Sequence, residues 1–331
     1  MDAINLNHPP LPITTELTSE AHKCDICFVE FHGRDVAAVE DDSKCKTHCG
    51  HIFHLHCLTR LFYVKPIDSR SCGYCREKPF PVLDMKTGES HPDKFFPDQV
   101  FSRACLNGDV NQVKKSLAEG VYVNAVMWDD FNPLLIASAM GHTELAEVLI
   151  NNGANVNAAM AENGVTPLFF AAQKNHTGTV KLLISKGAKL DPPQTSYGAT
   201  PLSIAVLKNN IDCAKLLIKA GTNVNTPIAY GTVLHLAARE NYTDIVKLLL
   251  EKGADLNART KYGTTALFEA AKRGHIECLK LLIRAGADVN AALPDGSTPL
   301  SVATMMGHFD CVEAINEAKT RRTEEGLCII L

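Results

Sequence analysis

Between Cys49 and Cys57 the chain reads CGHIFHLHC, two cysteines and three histidines in nine residues. Upstream stand Cys24 and Cys27, downstream Cys72 and Cys75. Thiolate sulfur and imidazole nitrogen are the ligands zinc takes tetrahedrally, and a short gap lets two side chains on one tight turn reach the same ion. The eight residues fall into four close pairs, Cys24/Cys27, Cys49/His51, His54/Cys57 and Cys72/Cys75, enough for two zinc ions. A zinc with four protein ligands keeps no open position for water or substrate, so both sites would hold structure rather than catalyse. Fewer than about 60 residues give only a marginal hydrophobic core, whereas metal binding can contribute on the order of 10 kcal/mol to folding. The segment is therefore expected to depend on its metal. Cys45 and His48 form another two-gap pair that competes with Cys49 and His51 for a ligand place, and His56 suits a surface or supporting role.

The order of ligand types, with histidine in the fourth and fifth places, resembles a RING finger of the two-histidine subtype. A PHD finger would put cysteine in the fourth place, and a LIM module would spread its ligands over two consecutive sites. The resemblance implies a small zinc-bound α+β cross-brace over residues 21–78, with two Zn as cofactors. Cys24, Cys27, His54 and Cys57 would form one site, and Cys49, His51, Cys72 and Cys75 the other. It also implies a ubiquitin-protein transferase, which recruits a ubiquitin-conjugating enzyme carrying ubiquitin and promotes transfer to a protein substrate, with no covalent ubiquitin intermediate on this chain. At the matching positions Ile26 and Leu61 would dock the conjugating enzyme. Arg76, directly after the last ligand, would be the linchpin-like catalytic residue, its fork of donors bridging the enzyme and its ubiquitin. Leu61 stands where tryptophan is often found, and Gly73 follows the seventh ligand where the family commonly has proline. Both departures alter the docking groove.

The elements that must position this chemistry lie in a chain of 331 residues, 46% apolar and 21% charged, a composition ordinary for a globular protein and long enough for two domains. A net charge of −4 gives no support for nucleic-acid binding, which normally shows a basic face. Met1 to His22 shows no apolar core of a secretory signal, and no run approaches the ~18 apolar residues of a spanning helix. Of twelve cysteines, seven precede residue 76 and six of those are claimed as ligands, which suits a reducing compartment better than a disulfide framework.

From about residue 97 the sequence repeats. Asn132-Pro133-Leu134, Thr166-Pro167-Leu168, Thr200-Pro201-Leu202, Thr232-Val233-Leu234, Thr265-Ala266-Leu267 and Thr298-Pro299-Leu300 recur at strides of 34, 34, 32, 33 and 33. Threonine at the start can cap a helix, and proline just inside loses a donor that is orphaned anyway. Gly141, Gly274 and Gly307 fall where a first helix must stop in a left-handed conformation. Ala137, Ala171, Ala237, Ala270 and Ala303 let paired helices approach closely. A period near 33 with this pattern resembles ankyrin repeats, implying an all-α solenoid of about seven units over residues 97–322, whose end units act as caps. Residues 1–20 read as a flexible lead-in, 79–96 as a proline-punctuated linker and 323–331 as a tail.

The resemblance makes the solenoid a binding scaffold. Trp128, Phe131, Tyr197, Tyr230 and Tyr262 fall at repeat tips and are candidate substrate-binding anchors. His142, His176, His235, His275 and His308, most of them at repeat-equivalent places, are expected to make structural hydrogen bonds. The chain ends Cys328-Ile329-Ile330-Leu331, which resembles a CaaX prenylation box with Cys328 as the lipidated residue. That would make a cytosolic protein peripheral to a membrane. Together the modules resemble effectors that intracellular bacteria deliver into eukaryotic cells, with localisation to host cytosol or membrane. The rivals are a non-catalytic adaptor and a cysteine-dependent enzyme built on Cys45.

Overall fold

The computed structural model describes residues 44–47, 52–54, 58, 81–84, 88, 90–91, 97, 99–127, 130–192, 198–229 and 231–328, with side chains described as far as Arg321 at the C-terminal end. The first described element is a four-stranded antiparallel sheet of short strands, β1 (Lys44–Lys46), β2 (Ile52–His54), β3 (Val82–Asp84) and β4 (Ser90–His91), in the order β2-β1-β3-β4. Cys45 faces Phe53 across one ladder and Asp84 across the other. Cys45, Phe53, Val82 and nearby Leu58 are fully buried. Cys45 is thus a core thiol on a central strand, a poor position for a nucleophile, which needs access and an electropositive setting.

The stretch expected as a linker, 79–96, differs from that reading, because it carries β3 and β4. Its prolines do not oppose this: Pro81 precedes β3 and Pro92 follows β4, so neither removes a ladder donor from a strand interior.

Beyond the sheet, the described residues form seven consecutive helix pairs: α1 (Gln99–Asn107) and α2 (Val110–Ala118), α3 (Pro133–Met140) and α4 (Thr143–Asn151), α5 (Pro167–Gln173) and α6 (Thr177–Ser185), α7 (Pro201–Leu207) and α8 (Ile211–Ala220), α9 (Val233–Arg239) and α10 (Thr243–Glu251), α11 (Ala266–Arg273) and α12 (Ile276–Arg284), α13 (Pro299–Met305) and α14 (Phe309–Cys328). The last helix runs through the start of the expected tail. The caps are those the residue types dictate. Asn132, Thr166 and Thr265 accept from the backbone N–H of Leu135, Phe169 and Phe268 at 2.9, 3.3 and 3.2 Å. First helices pack on first helices of neighbouring pairs, and second on second. A single apolar core runs from Phe101 to Ala318. The five alanines named above are fully buried within it, as expected of residues at close helix contacts.

The histidines stitch neighbouring pairs together. The last carbonyls of a helix have no partner within it. His142, His176, His275 and His308, each at the entry to a second helix, reach back to the preceding pair and donate from Nε2 to the carbonyls of Leu106, Ala139, Arg239 and Lys272 at 2.8, 3.1, 2.9 and 3.2 Å. Asn210 does the same for Ala172 and Gln173, at 2.8 Å to each. This arrangement also explains Gly141: at φ 76° it is left-handed, and a Cβ there would lie 2.5 Å from the ring of His176. At the equivalent stops after α5, α7 and α9 the left-handed residue is Asn175, Asn209 or Asn241, the non-glycine type that best tolerates that conformation.

Candidate functional site

The metal-ligand set falls almost wholly outside the described residues. So do Cys24, Cys27, Cys49, His51, Cys57, Cys72 and Cys75, and with them Ile26, Leu61 and Arg76. Of His54 the backbone is described: it is the last residue of β2, opposite Lys44. Lys46 pairs with Ile52 across the β1–β2 ladder, and Cys49 and His51, which fall between these strands in the sequence, lie outside the described residues.

The repeat-tip aromatics divide. Trp128, Tyr197 and Tyr230 lie outside the described residues. Phe131 is half-buried and its ring stacks on Phe170 of the next pair, centroids 5.4 Å apart. Tyr262 is 70% exposed, with the Lys261 ammonium 5.0 Å from its ring centroid. Cys328 ends α14.

Tyr262 stands at the edge of a groove of about 640 Å³ between the hairpin loops and the first helices of the last three pairs. His235, Arg239, Phe268, Lys272 and Met305 line it. An adjoining, mostly apolar recess of about 260 Å³ lies between α7 and α9, formed by Ser203, Ile204, Leu207, Ile228 and Leu236, and it shares Ala229 and Leu236 with the larger groove. Both hollows have a local cause in the third residue of the first helices. That place holds Leu135, Phe169, His235 and Phe268 in α3, α5, α9 and α11, but Ser203 and Ser301 in α7 and α13. Each serine is turned back onto its own helix start: Ser203 accepts from the Thr200 N–H at 2.8 Å, and Ser301 from that of Thr298 at 2.8 Å. A capping box at these two sites leaves unfilled the space a phenylalanine occupies elsewhere.

His235 fixes the groove wall. The Thr232 N–H donates to its Nδ1 at 3.1 Å, so Nδ1 carries the lone pair and Nε2 the proton, which is donated to the Thr264 carbonyl at 3.1 Å. Burial lowers its pKa below the usual histidine value, against smaller opposing pulls from the Thr264 carbonyl and Glu269. The folded chain therefore holds His235 neutral where the unfolded chain would protonate it. Stability from this residue is present above about pH 6.5 and is lost as pH falls through and below that value. Thermal melts between pH 7.5 and 5 should show a falling midpoint, with a shallower fall for His235→Gln. Parallel pH profiles would contradict the assignment.

These residues were not visible as a site in the linear sequence. The groove appears only when the third, fourth and seventh positions of successive first helices are read side by side.

Comparison with known proteins matches the family model for ankyrin repeats to overlapping stretches, residues 101–194, 158–228, 190–260 and 234–323. The human ASB11 ankyrin repeat domain is similar at 28% identity and a TM-score of 0.55, covering 65% of this chain and 96% of that one. An ankyrin repeat domain from Acinetobacter baumannii is 26% identical with a TM-score of 0.54, over 56% of this chain and 97% of that one. The ankyrin repeat domain of Bcl-3, at 23% identity and a TM-score of 0.59, shares the fold. Two curated relatives, the E3 ubiquitin-protein ligase TRAIP of Homo sapiens and of Mus musculus, are each 48% identical over 54 residues, 16% of this chain. The chain spans 9% of the length of these relatives.

Proposed function

The chain belongs to the ankyrin-repeat family over residues 101–323, and from that premise we propose that it is a two-part ubiquitin ligase whose solenoid holds a protein substrate while the N-terminal zinc module brings the conjugating enzyme to it. The observation that carries the reading is the run of eight cysteine and histidine ligands, whose order fits two closed zinc sites and no hydrolytic one. The likeness to two E3 ubiquitin-protein ligases, over a length close to that of residues 21–78, supports it. The donor set fits zinc: six thiols and two imidazoles.

In this mechanism the chain supplies no nucleophile. Zinc, when bound, supplies the fold of the module. Ile26 and Leu61 offer apolar contacts to the conjugating enzyme, and Arg76 restrains the carried ubiquitin so that its thioester is presented to a lysine. The groove between the hairpin loops and first helices keeps the substrate near. This is catalysis by positioning, where effective concentration replaces chemical participation.

The test is autoubiquitination across a panel of conjugating enzymes. Activity with at least one enzyme is expected, and Ile26→Ala should abolish it while leaving zinc content unchanged. Equal activity of Ile26→Ala would remove the docking assignment. A chain that captures protein yet transfers ubiquitin with no enzyme of the panel would be an adaptor.

A further inference from the structure

Neighbouring helix pairs are tied together at two levels. On the loop side a short polar side chain of one loop holds the backbone of the next, from Asn124 accepting the Asn155 N–H at 2.7 Å to Asn257 accepting that of Asp288 at 3.1 Å. On the opposite side, where each first helix stops, a histidine or Asn210 donates to the end carbonyls of the preceding pair. The junction of α7–α8 with α9–α10 keeps the first tie: Asn225 accepts the Asp255 N–H at 2.8 Å and donates to the Gly253 carbonyl at 3.1 Å. It lacks the second. The residue in the histidine's place is Tyr242, and among the described residues its side chain makes no hydrogen bond to the end of α7. The four histidines each take the carbonyl two residues before a left-handed stop, and here that carbonyl belongs to Leu207, two before Asn209. The same junction is loosely packed between its first helices, where Ser203 leaves the recess of about 260 Å³. Between α8 and α10 the polar link is the ion pair of Lys215 with Asp244 at 3.6 Å, both exposed, and water screens such a pair to little effect.

We propose that the solenoid bends at this junction: α1–α8 and α9–α14 are two rigid bodies that share a hinge, with its pivot in the loop contacts of Asn225 and its opening edge between Leu207 and Tyr242. An array whose units touch only their neighbours has no distant contact to resist such a motion, so the weakest junction sets where it bends. Opening any of the other junctions on this side breaks a side-chain hydrogen bond and strips a helix-end carbonyl of its partner. Opening this one breaks none, and it uncovers Leu207, which is already 46% exposed. The loop side stays closed because its ties are intact, and its turn is the tighter kind: Ile228 and Gly231, three residues apart, exchange both backbone hydrogen bonds at 2.7 and 3.0 Å, whereas Met127 pairs with Phe131 and Thr260 with Thr264. This shorter turn accompanies the stride of 32 between Thr200 and Thr232. Apart from Ala229, the residues lining the larger groove lie in or beyond α9, so the groove travels with the second body. A protein held there would swing relative to the first four pairs; that consequence, unlike the hinge, rests on the reading of the solenoid as the substrate-holding part.

The experiment measures distances in the full chain by double electron–electron resonance, with nitroxides coupled to p-azidophenylalanine so that the cysteines are untouched. Labels at Lys174 and Lys272, exposed at the ends of α5 and α11, straddle the hinge along its opening edge. Labels at Asn107 and Lys208, exposed at the ends of α1 and α7, are separated by as many helix pairs within the first body. The distribution across the hinge should be at least about twice as wide as that within the body. Tyr242→His supplies the donor that four other junctions already carry, so the fold is retained, and it should narrow the distribution across the hinge to the width within the body. Tyr242→Phe, which adds no donor, should keep the parent's width. Amide hydrogen exchange gives a second reading without labels. Residues 204–210 should be at least about tenfold less protected than the equivalent residues 170–176 and 269–275, and Tyr242→His should close that gap. Equal widths or equal protection in the parent, or a Tyr242→His chain as broad and as open as the parent, would each overturn the hinge. None of these readouts needs ubiquitin transfer. A rigid solenoid with autoubiquitination intact refutes the hinge alone, and a hinged solenoid without transfer refutes the ligase alone.

Discussion

On the proposed ligase reading, chelating zinc should abolish ubiquitin transfer and unfold the first quarter of the chain while leaving the repeats standing. The reason is the imbalance between core and metal in the N-terminal segment. The described strands of its sheet are two or three residues long, with Cys45, Phe53, Leu58 and Val82 buried there. A segment of fewer than about 60 residues can build only a marginal hydrophobic core. Ordering the backbone costs roughly 1–2 kcal/mol per residue, so metal must make up the difference, and on the order of 10 kcal/mol per structural zinc is the scale available. The solenoid has no such dependence, because its core is continuous from Phe101 to Ala318. Heteronuclear NMR spectra recorded with and without chelator should therefore lose the dispersed signals of residues 21–78 and keep those of the helix pairs. Loss of both sets together, or of neither, would contradict this division.

The second large effect is expected from Leu249→Ala. Leu249 lies in α10 with no exposed surface, in a core where the helices on either side, α8 and α12, share its contacts. Truncating a fully buried leucine typically costs about 2–5 kcal/mol, because the lost transfer free energy adds to that of the cavity left behind. In an array whose units touch only their neighbours, a defect of that size in the fifth pair does more than lower the midpoint. The pairs from α1 to α8 retain their mutual contacts, whereas α11 to α14 lose their link to them. Denaturant unfolding followed by circular dichroism should split into two transitions, and groove binding should disappear with the first. A single transition, merely shifted, would show a more strongly coupled array than nearest-neighbour contacts provide.

Much of the solenoid was legible because its rules are local. A threonine or asparagine followed by proline marks the starts of α3, α5, α7 and α13, and a glycine such as Gly141 or Gly274 marks a stop. The histidines were legible as structural from their recurrence, although which carbonyl each would reach depends on the rise from one pair to the next, which no single repeat encodes. The stops at Asn175, Asn209 and Asn241 passed unnoticed, because asparagine is common in many settings and left-handed in few. The strands at 82–84 and 90–91 were hidden by flanking prolines that read as a linker and instead bound the strands. The groove was hidden for a different reason. Ser203 looks like an ordinary cap residue until it is set beside Phe169 and Phe268, and only then is it seen to leave a space. The zinc reading of the N-terminal cysteines and histidines rests on their short gaps, which ligand geometry imposes regardless of the surrounding fold, and apart from the His54 backbone these residues lie outside the described ones.

The most direct measurement of the ligase reading is single-turnover discharge of ubiquitin from a preloaded conjugating enzyme onto free lysine, in the presence of the full chain, Arg76→Ala or no chain at all. The reading predicts that the full chain accelerates discharge at least about tenfold, close to 1.4 kcal/mol of barrier, and that Arg76→Ala, with both zincs still bound, loses most of that gain. Discharge at the unassisted rate with every conjugating enzyme tried would contradict it.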